Sequence, residues 1–483
     1  MQDIDMVVLQ NNNENVSLPG VDDVFNGSGS GCINGVRGLK HSAIGNNSQK
    51  SAILQVPGLL QKLLEFLDNS VSVDQQLLVE TAVLLGSLAK GNRKDLAYLI
   101  AENTVSKLLK GLKVDSQPFI DACLRCLRTI FVSDMAPVDA IYEDDEIIPL
   151  LLSYMCRSCS TKECIPVILS SCCINPTQQR TLQKHGIIDA LAPLVVSHPT
   201  SIELSAVECY AALCYRNATV AQCMINGNYD GDMSLVNRHL ALLDRDLPME
   251  LQLASAKCIT YICRAGAIPT TSSIITHQVM PTLVRGCKVD ALLYSEKLCP
   301  QAATTLAYLI EADPSLQSLT AWNNQIVETL SNCLNYPIPN ASDYADIGRY
   351  QEDRKLADAM QTGSLRALAA LASNNEDIKR RITQDVPNLI EKIWVNLSSA
   401  ESTSSLVDAE GDSSDKRDSG KNDDSKADAS CTGGTLSSSS SPNPDVQIAA
   451  IKCLNSLSRS VQQLRTTFQE KTFWKPLMEV TFE

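Results

Sequence analysis

The chain has 483 residues, 44% of them apolar but only 5% aromatic, and a formal charge of −14. That length exceeds what one hydrophobic core usually organises, and the aromatic content is low for a large β-sandwich. No run of 18 apolar residues offers a transmembrane helix, and the acidic, Asn-rich start lacks the basic head and apolar stretch of a secretory signal, so the expected location is cytoplasmic and nuclear.

The charge is unevenly placed. Residues 1–36 hold five acids and no base, and residues 401–445 hold ten acids against four bases, which leaves −3 for everything else. A nearly neutral body has no electrostatic footprint for nucleic acid, and neither nucleic acid nor membrane is expected as a partner. Residues 1–36, with the stretch Asn26–Gly35 (NGSGSGCING), read as a disordered lead ending in a linker.

Helical periodicity begins near Val36, with Leu39–Ile44, a break at Gly45–Asn47, and Lys50–Gln55. From there a long apolar helix pattern recurs. In LASAKCITYICRAGAI (Leu253–Ile268), Ala256, Ile259, Ile262 and Cys263 share one side of a helix. Aligned on Ile259, the equivalents are Leu85, Leu127, Leu169, Tyr210, Leu306, Leu368 and Leu454, separated in chain order by 42, 42, 41, 49, 47, 62 and 86 residues. A shorter helical signature precedes each of them: Val56–Leu67, Asn103–Leu112, Ile147–Met155, His185–Val195, Ser234–Leu243, Gln278–Cys287, Gln325–Leu334 and Val386–Leu397. Pro57, Pro149, Pro281 and Pro387 fall at or near its first turn, where a missing N–H costs least.

A period in the forties belongs to HEAT and armadillo repeats, and room for a third, short helix favours armadillo. The expected fold is an all-α, right-handed armadillo-repeat solenoid. The repeats run over residues 37–397, an acidic Ser-rich disordered insert over 398–444, and a final incomplete set over 445–483. The long spacing of 62 is assigned to a loop at Pro337–Tyr350 leading into one extended helix, Gln351–Ala372, weakened at Gly363. FWKPLMEV (Phe473–Val480) looks like a helix whose partner is missing, as in a shortened product of a longer gene.

Catalysis has no visible home. Cys156-x2-Cys159-x4-Cys164, with Cys172 and Cys173, resembles a zinc spacing, but the cysteines straddle helix ends and no histidine follows at ligand distance. The 18 cysteines, among them Cys123, Cys126, Cys209, Cys214, Cys258, Cys263 and Cys453, read as reduced core residues. His185 and His277 are assigned to turns before short helices. The Gly-rich stretch Gly27–Gly35 lacks the Lys-Ser/Thr ending of a phosphate loop. No metal, cofactor or enzymatic activity is expected.

What remains is the face of the long helices. The importin-type ladder of Trp and Asn is missing: its positions carry Val83, Arg125, Val167, Glu208, Lys257, Thr304, Arg366 and Lys452, then Ser87, Thr129, Ser171, Ala212, Tyr261, Tyr308, Ala370 and Ser456. Basic residues recur instead: Arg125, Arg128, Lys257, Arg264, Arg366, Lys452 and Arg459. They are explained either by the helix dipole, for Arg128, Arg264 and Arg459, or by a stripe that receives an acidic or polar partner.

Several stretches carry a more specific likeness: HSAIGNNSQKSAIL (His41–Leu54), IDACLRCLRTIF (Ile120–Phe131), SAKCITYICRAGAI (Ser255–Ile268), TLAYLIE (Thr305–Glu311), NNEDIKRRI (Asn374–Ile382) and IKCLNSLSRSVQQLRTTFQEKTFWKPLMEV (Ile451–Val480). Together they resemble the armadillo-repeat scaffold subunits of CTLH (GID) ubiquitin ligases. The resemblance spans about residues 38–480 apart from the acidic insert. It implies a non-catalytic subunit joined to LisH/CTLH and RING subunits in ubiquitin-dependent degradation. Docking of a substrate receptor belongs in that family to repeats beyond Val480. Two other classes are in play: a stand-alone peptide-binding adapter of the catenin or importin kind, weakened by the missing ladder, and an enzyme, weakened by the lack of any acid/base, nucleophile or metal set.

Overall fold

The computed structural model describes residues 18–69, 73–196, 199–229, 233–288, 295–321, 326–344, 347–373, 375–385, 389–395, 397 and 443–458. These fall into two units divided after His239. The N-terminal unit begins with α1 (Val21–Asn26) and α2 (Ser30–Ala43). It continues with α3 (Asn47–Gln55), α4 (Leu59–Asp68) and α5 (Gln75–Leu88), then α6 (Arg93–Ala101), α7 (Thr104–Gly111) and α8 (Gln117–Phe131). A 3-10 turn (Val138–Ile141) takes the first place of the next set, before α9 (Ile147–Tyr154) and α10 (Cys159–Ser171). Then come α11 (Pro176–Lys184), α12 (Ile187–Leu191), α13 (Thr200–Cys214), α14 (Ala218–Asn226), and α15 (Leu235–Ala241), which runs across the division.

The C-terminal unit holds α16 (Met249–Arg264), a π-helical turn (Ile275–Val279), α17 (Met280–Gly286), α18 (Cys299–Ile310), α19 (Pro314–Ala321), α20 (Ile326–Cys333), α21 (Ile347–Ala372), α22 (Glu376–Asp385), α23 (Leu389–Val395) and α24 (Pro444–Ser458). The strand pairing described is a two-residue bridge, Asn228–Tyr229 against Met233–Ser234.

The repeating unit is therefore short helix, middle helix, long helix, and the short one decides armadillo over HEAT. Its start is built the same way in four of the repeats. Asn46, Asn92, Asn175 and Asn217 use their side-chain oxygens to accept backbone N–H groups of the first turns of α3, α6, α11 and α14. The chain then turns into the middle helix through a left-handed residue, Gly58, Asn103 or Gly186.

Within each unit the long helices stack on one another: α2, α5, α8, α10 and α13 in the first, and α16, α18, α21 and α24 in the second. All eight residues aligned on Ile259 are buried, with at most 4% exposure. Tyr210, the one polar member, gives its hydroxyl to the Ile188 carbonyl at 2.6 Å. Hydrogen bonds between neighbouring repeats repeat the sequence spacing. Asn92 to Ser51 and Ser116 to Gln75 span 41 residues, and Tyr154 to the Leu112 carbonyl spans 42. Where the sequence spacing lengthens, so does the bond: Gln317 to Ser373 spans 56 and Asn443 to Asp358 spans 85.

Two expectations are corrected. Residues 1–36 are not wholly a disordered lead, because Val21 onward is helical and Val24 and Val36 are fully buried. The glycines there serve close approach: a Cβ on Gly35 would lie 2.7 Å from the Gly20 carbonyl oxygen, so α1 can lie against α2 only without side chains at that crossing. Gly363 is likewise no weak point. The helix is unbroken over 26 residues, and a Cβ at 363 would meet the Pro300 carbonyl oxygen at 2.9 Å, where α21 crosses α18. Pro387, most of the insert 398–444 and Phe473–Val480 lie outside the described residues, but Asn443 and Pro444 already belong to the start of α24.

Candidate interaction surface

An apolar stripe buried on three sides leaves each long helix one open strip, and the positions compared above with the importin ladder lie on it. Arg125, Arg366 and Lys452 are exposed; Val83, Val167, Glu208, Lys257 and Thr304 are partly exposed, amid buried neighbours on the same helices. Among the remaining ladder positions Ala370 is the exception, being buried.

The seven predicted basic residues separate into different roles. On α8, Arg128 forms an ion pair with Glu163 of α10 at 2.7 Å, and Arg125 approaches the Ser160 hydroxyl at 3.5 Å. The Arg128 charge thus serves cohesion between repeats. In the C-terminal unit, Lys257 lies 5.9 Å from the ring centre of Tyr261, and Arg264 sits 4.4 Å over the ring of Tyr308. The two tyrosines meet edge to face at 5.6 Å, so a cation–aromatic row passes from α16 to α18. Arg459 lies outside the described residues.

A cleft of about 430 Å3 continues that row, with Lys257, Tyr261, Thr304, Lys355, Asp358 and Arg366 on its walls. Asp358 is engaged by Arg354 at 3.2 Å and by the Asn443 amide at 3.0 Å. Lys257, Lys355, Arg366 and Lys452 have no ion pair or hydrogen bond among the described residues. Sequence reading placed Tyr261 and Tyr308 on this face without a role and missed Lys355. Lys355 was legible, since 355, 359, 362 and 366 are spaced by helical turns.

The cysteines sort by burial. Cys123, Cys126, Cys209, Cys214, Cys258, Cys263 and Cys453 are in the core. Burial pushes the thiols of Cys126 and Cys453 up to about 12, so they stay protonated and poorly nucleophilic. In the zinc-like spacing, Cys156 and Cys159 are exposed while Cys164 points into the core, and its thiol is raised to about 11 chiefly by that burial. One tetrahedral centre cannot draw on both sides of α10 at once.

A stack of three-helix repeats with Asn-capped short helices defines an armadillo-repeat protein. Solved structures agree in fold: an engineered protein superposes with a TM-score of 0.53 at 15% identity over 95% of this chain and 93% of its own. A chain from the structure of the cadherin–β-catenin phosphorylation switch gives 0.51 at 14% identity, over 91% and 77%. No protein-family model matches. The homologues in sequence are named Armadillo repeat-containing protein 8: those of Danio rerio and Mus musculus are each 36% identical over 460 residues, 95% of this chain. The Xenopus laevis protein of that name is 34% identical over 507 residues. The chain spans 61% of the length of the Danio rerio and Mus musculus proteins.

Proposed function

We propose that this chain is a non-catalytic scaffold subunit of a CTLH (GID)-type ubiquitin ligase, holding LisH/CTLH and RING subunits together in the cytoplasm and nucleus. The observation that carries the scaffold reading is the open strip of the C-terminal unit, where unpaired cations and two tyrosines in edge-to-face contact stand on long helices whose other sides are packed. Fixed side chains on a rigid stack receive a partner at low entropic cost. Cations left without carboxylates favour a partner surface that supplies them. The ligase assignment is supported by the likeness of long stretches such as SAKCITYICRAGAI and IKCLNSLSRSVQQLRTTF to that scaffold family.

Affinity purification of the tagged 483-residue chain, followed by mass spectrometry, tests this. RING and LisH/CTLH subunits are expected in near-stoichiometric yield. Recovery of karyopherin cargo or cadherin tails in their place would replace the scaffold reading with that of a free peptide adapter.

A further inference from the structure

A second cavity of the C-terminal unit, about 360 Å3, was not foreshadowed by any motif. Its walls come from three separate segments: Asp244 and Arg245 after α15, His277 and Gln278 on the π-helical turn, and Thr282 and Arg285 on α17. His277 had been assigned to a turn before a short helix. Instead the Met280 N–H reaches back to the Ile275 carbonyl, five residues away, and the wide turn runs straight into α17. His277 and Gln278 are exposed while Ile275 and Val279 on either side are buried. Such a π turn costs hydrogen-bond geometry and is often kept where it re-aims side chains at a site.

The electrostatics of the cavity are incomplete. Arg285 is half-buried, and the partner it has is neutral: its Nη2 donates to Gln252 Oε1 at 2.5 Å. Burial, and then the charge of Arg245, hold its pKa below the usual guanidinium range, so two cations face each other without an anion between them. Arg245 is exposed and has no partner among the described residues. The one acid on the wall, Asp244, turns its carboxylate to the backbone N–H of Asp246 at 3.2 Å. A half-buried guanidinium opposed by a second one is stabilised when an oxyanion sits between them, because each N–H···O⁻ bond is charge-assisted and partly shielded from water.

We propose that this cavity binds a phosphate monoester, presented as phosphoserine or phosphothreonine on a partner protein. A single carboxylate offers two oxygens and one charge. A phosphate offers three oxygens and close to two charges, which suits two guanidiniums together with the Gln278 amide and the His277 imidazole. Only the source of the phosphate, a partner protein, rests on the scaffold reading.

The test uses the full chain and a fluorescein-labelled Gly-Ala-phosphoserine-Ala-Gly peptide, read by anisotropy against its unphosphorylated form and with inorganic phosphate as competitor. The phosphopeptide is expected to bind about tenfold more tightly or better. Arg245→Ala and Arg285→Gln should each lose about tenfold, while Arg93→Ala in the other unit should lose nothing. Arg245 is a surface residue, so its removal leaves the fold intact and thermal unfolding confirms it. Equal affinity for the two peptides, or unchanged binding in both cavity variants, overturns the site. Binding of inorganic phosphate with no binding of the phosphopeptide overturns the partner-protein source. Loss of this binding with ligase subunits still recovered sinks the site alone; the reverse result sinks the scaffold reading alone.

Discussion

The two units use charge differently. In the N-terminal unit, ion pairs cross from repeat to repeat: Arg37 and Lys40 with Glu80, Arg93 with Asp134, Lys107 with Asp68, Lys113 with Asp144 and Glu146, Arg128 with Glu163. In the C-terminal unit, the Arg354–Asp358 and Lys379–Glu376 pairs each lie within one helix. Neutral groups and carbonyls link its repeats, as in Gln317 to Ser373 and Arg381 to the Ala321 carbonyl, together with the close crossing of α18 and α21 at Gly363. The lesson is that the same repeat leaves its cations either committed to cohesion or open to a partner, and the choice depends on whether the next repeat places an acid opposite.

The strongest way to break this contrast is Gly363→Leu. If the crossing of α18 and α21 holds the C-terminal unit together, the side chain forced against the Pro300 carbonyl should destabilise that unit by about 3 kcal/mol. Hydrogen exchange should then speed up in α18 and α21 while α5 and α8 stay protected. Uniform loss across both units would contradict two separately held stacks.

Glu80→Gln probes the other unit at about 1–2 kcal/mol, since the carboxylate is largely buried between two cations. Burial pushes its pKa up, and hydrogen bonds from Lys40 and Arg37 more than offset that, leaving it below the usual carboxylate value. The folded state therefore gives up this proton more readily than the unfolded state. The stabilisation is present above the unfolded carboxylate pKa and is lost as pH falls through the lowered folded value. The gap between wild type and Glu80→Gln in urea midpoints should close on acidification and stay constant from neutrality upward.

A smaller effect is expected from Arg128→Ala, below about 1 kcal/mol and diminished by salt, because both partners are partly exposed. Lys257→Glu with Arg366→Glu should change stability least, within about 0.5 kcal/mol. Yet that pair should reduce recovery of partner subunits, whereas Arg128→Ala should not. Equal recovery with both variants would remove the distinction between committed and open cations.

Periodicity alone located the long helices, because burial on a helix demands apolar residues every three to four positions. The aligned residues from Leu85 to Leu454 are buried for that reason. Short helices such as α3 and α11 were barely visible, since they carry few apolar residues and announce themselves through Asn caps. Composition misread the start of the chain, because glycine is common both in linkers and at close crossings such as Gly20 on Gly35.

The sequence by itself determined the repeat, its period and the helices that carry it, since those follow from local preference and the need to cover an apolar stripe. Which Arg and Lys stay free was decided by the tertiary structure. Arg128 and Arg366 look alike along the chain, and only packing brings Glu163 to one and an open cleft to the other. A charge pairs according to what lies within a few ångströms, and that distance is set by how neighbouring repeats stack.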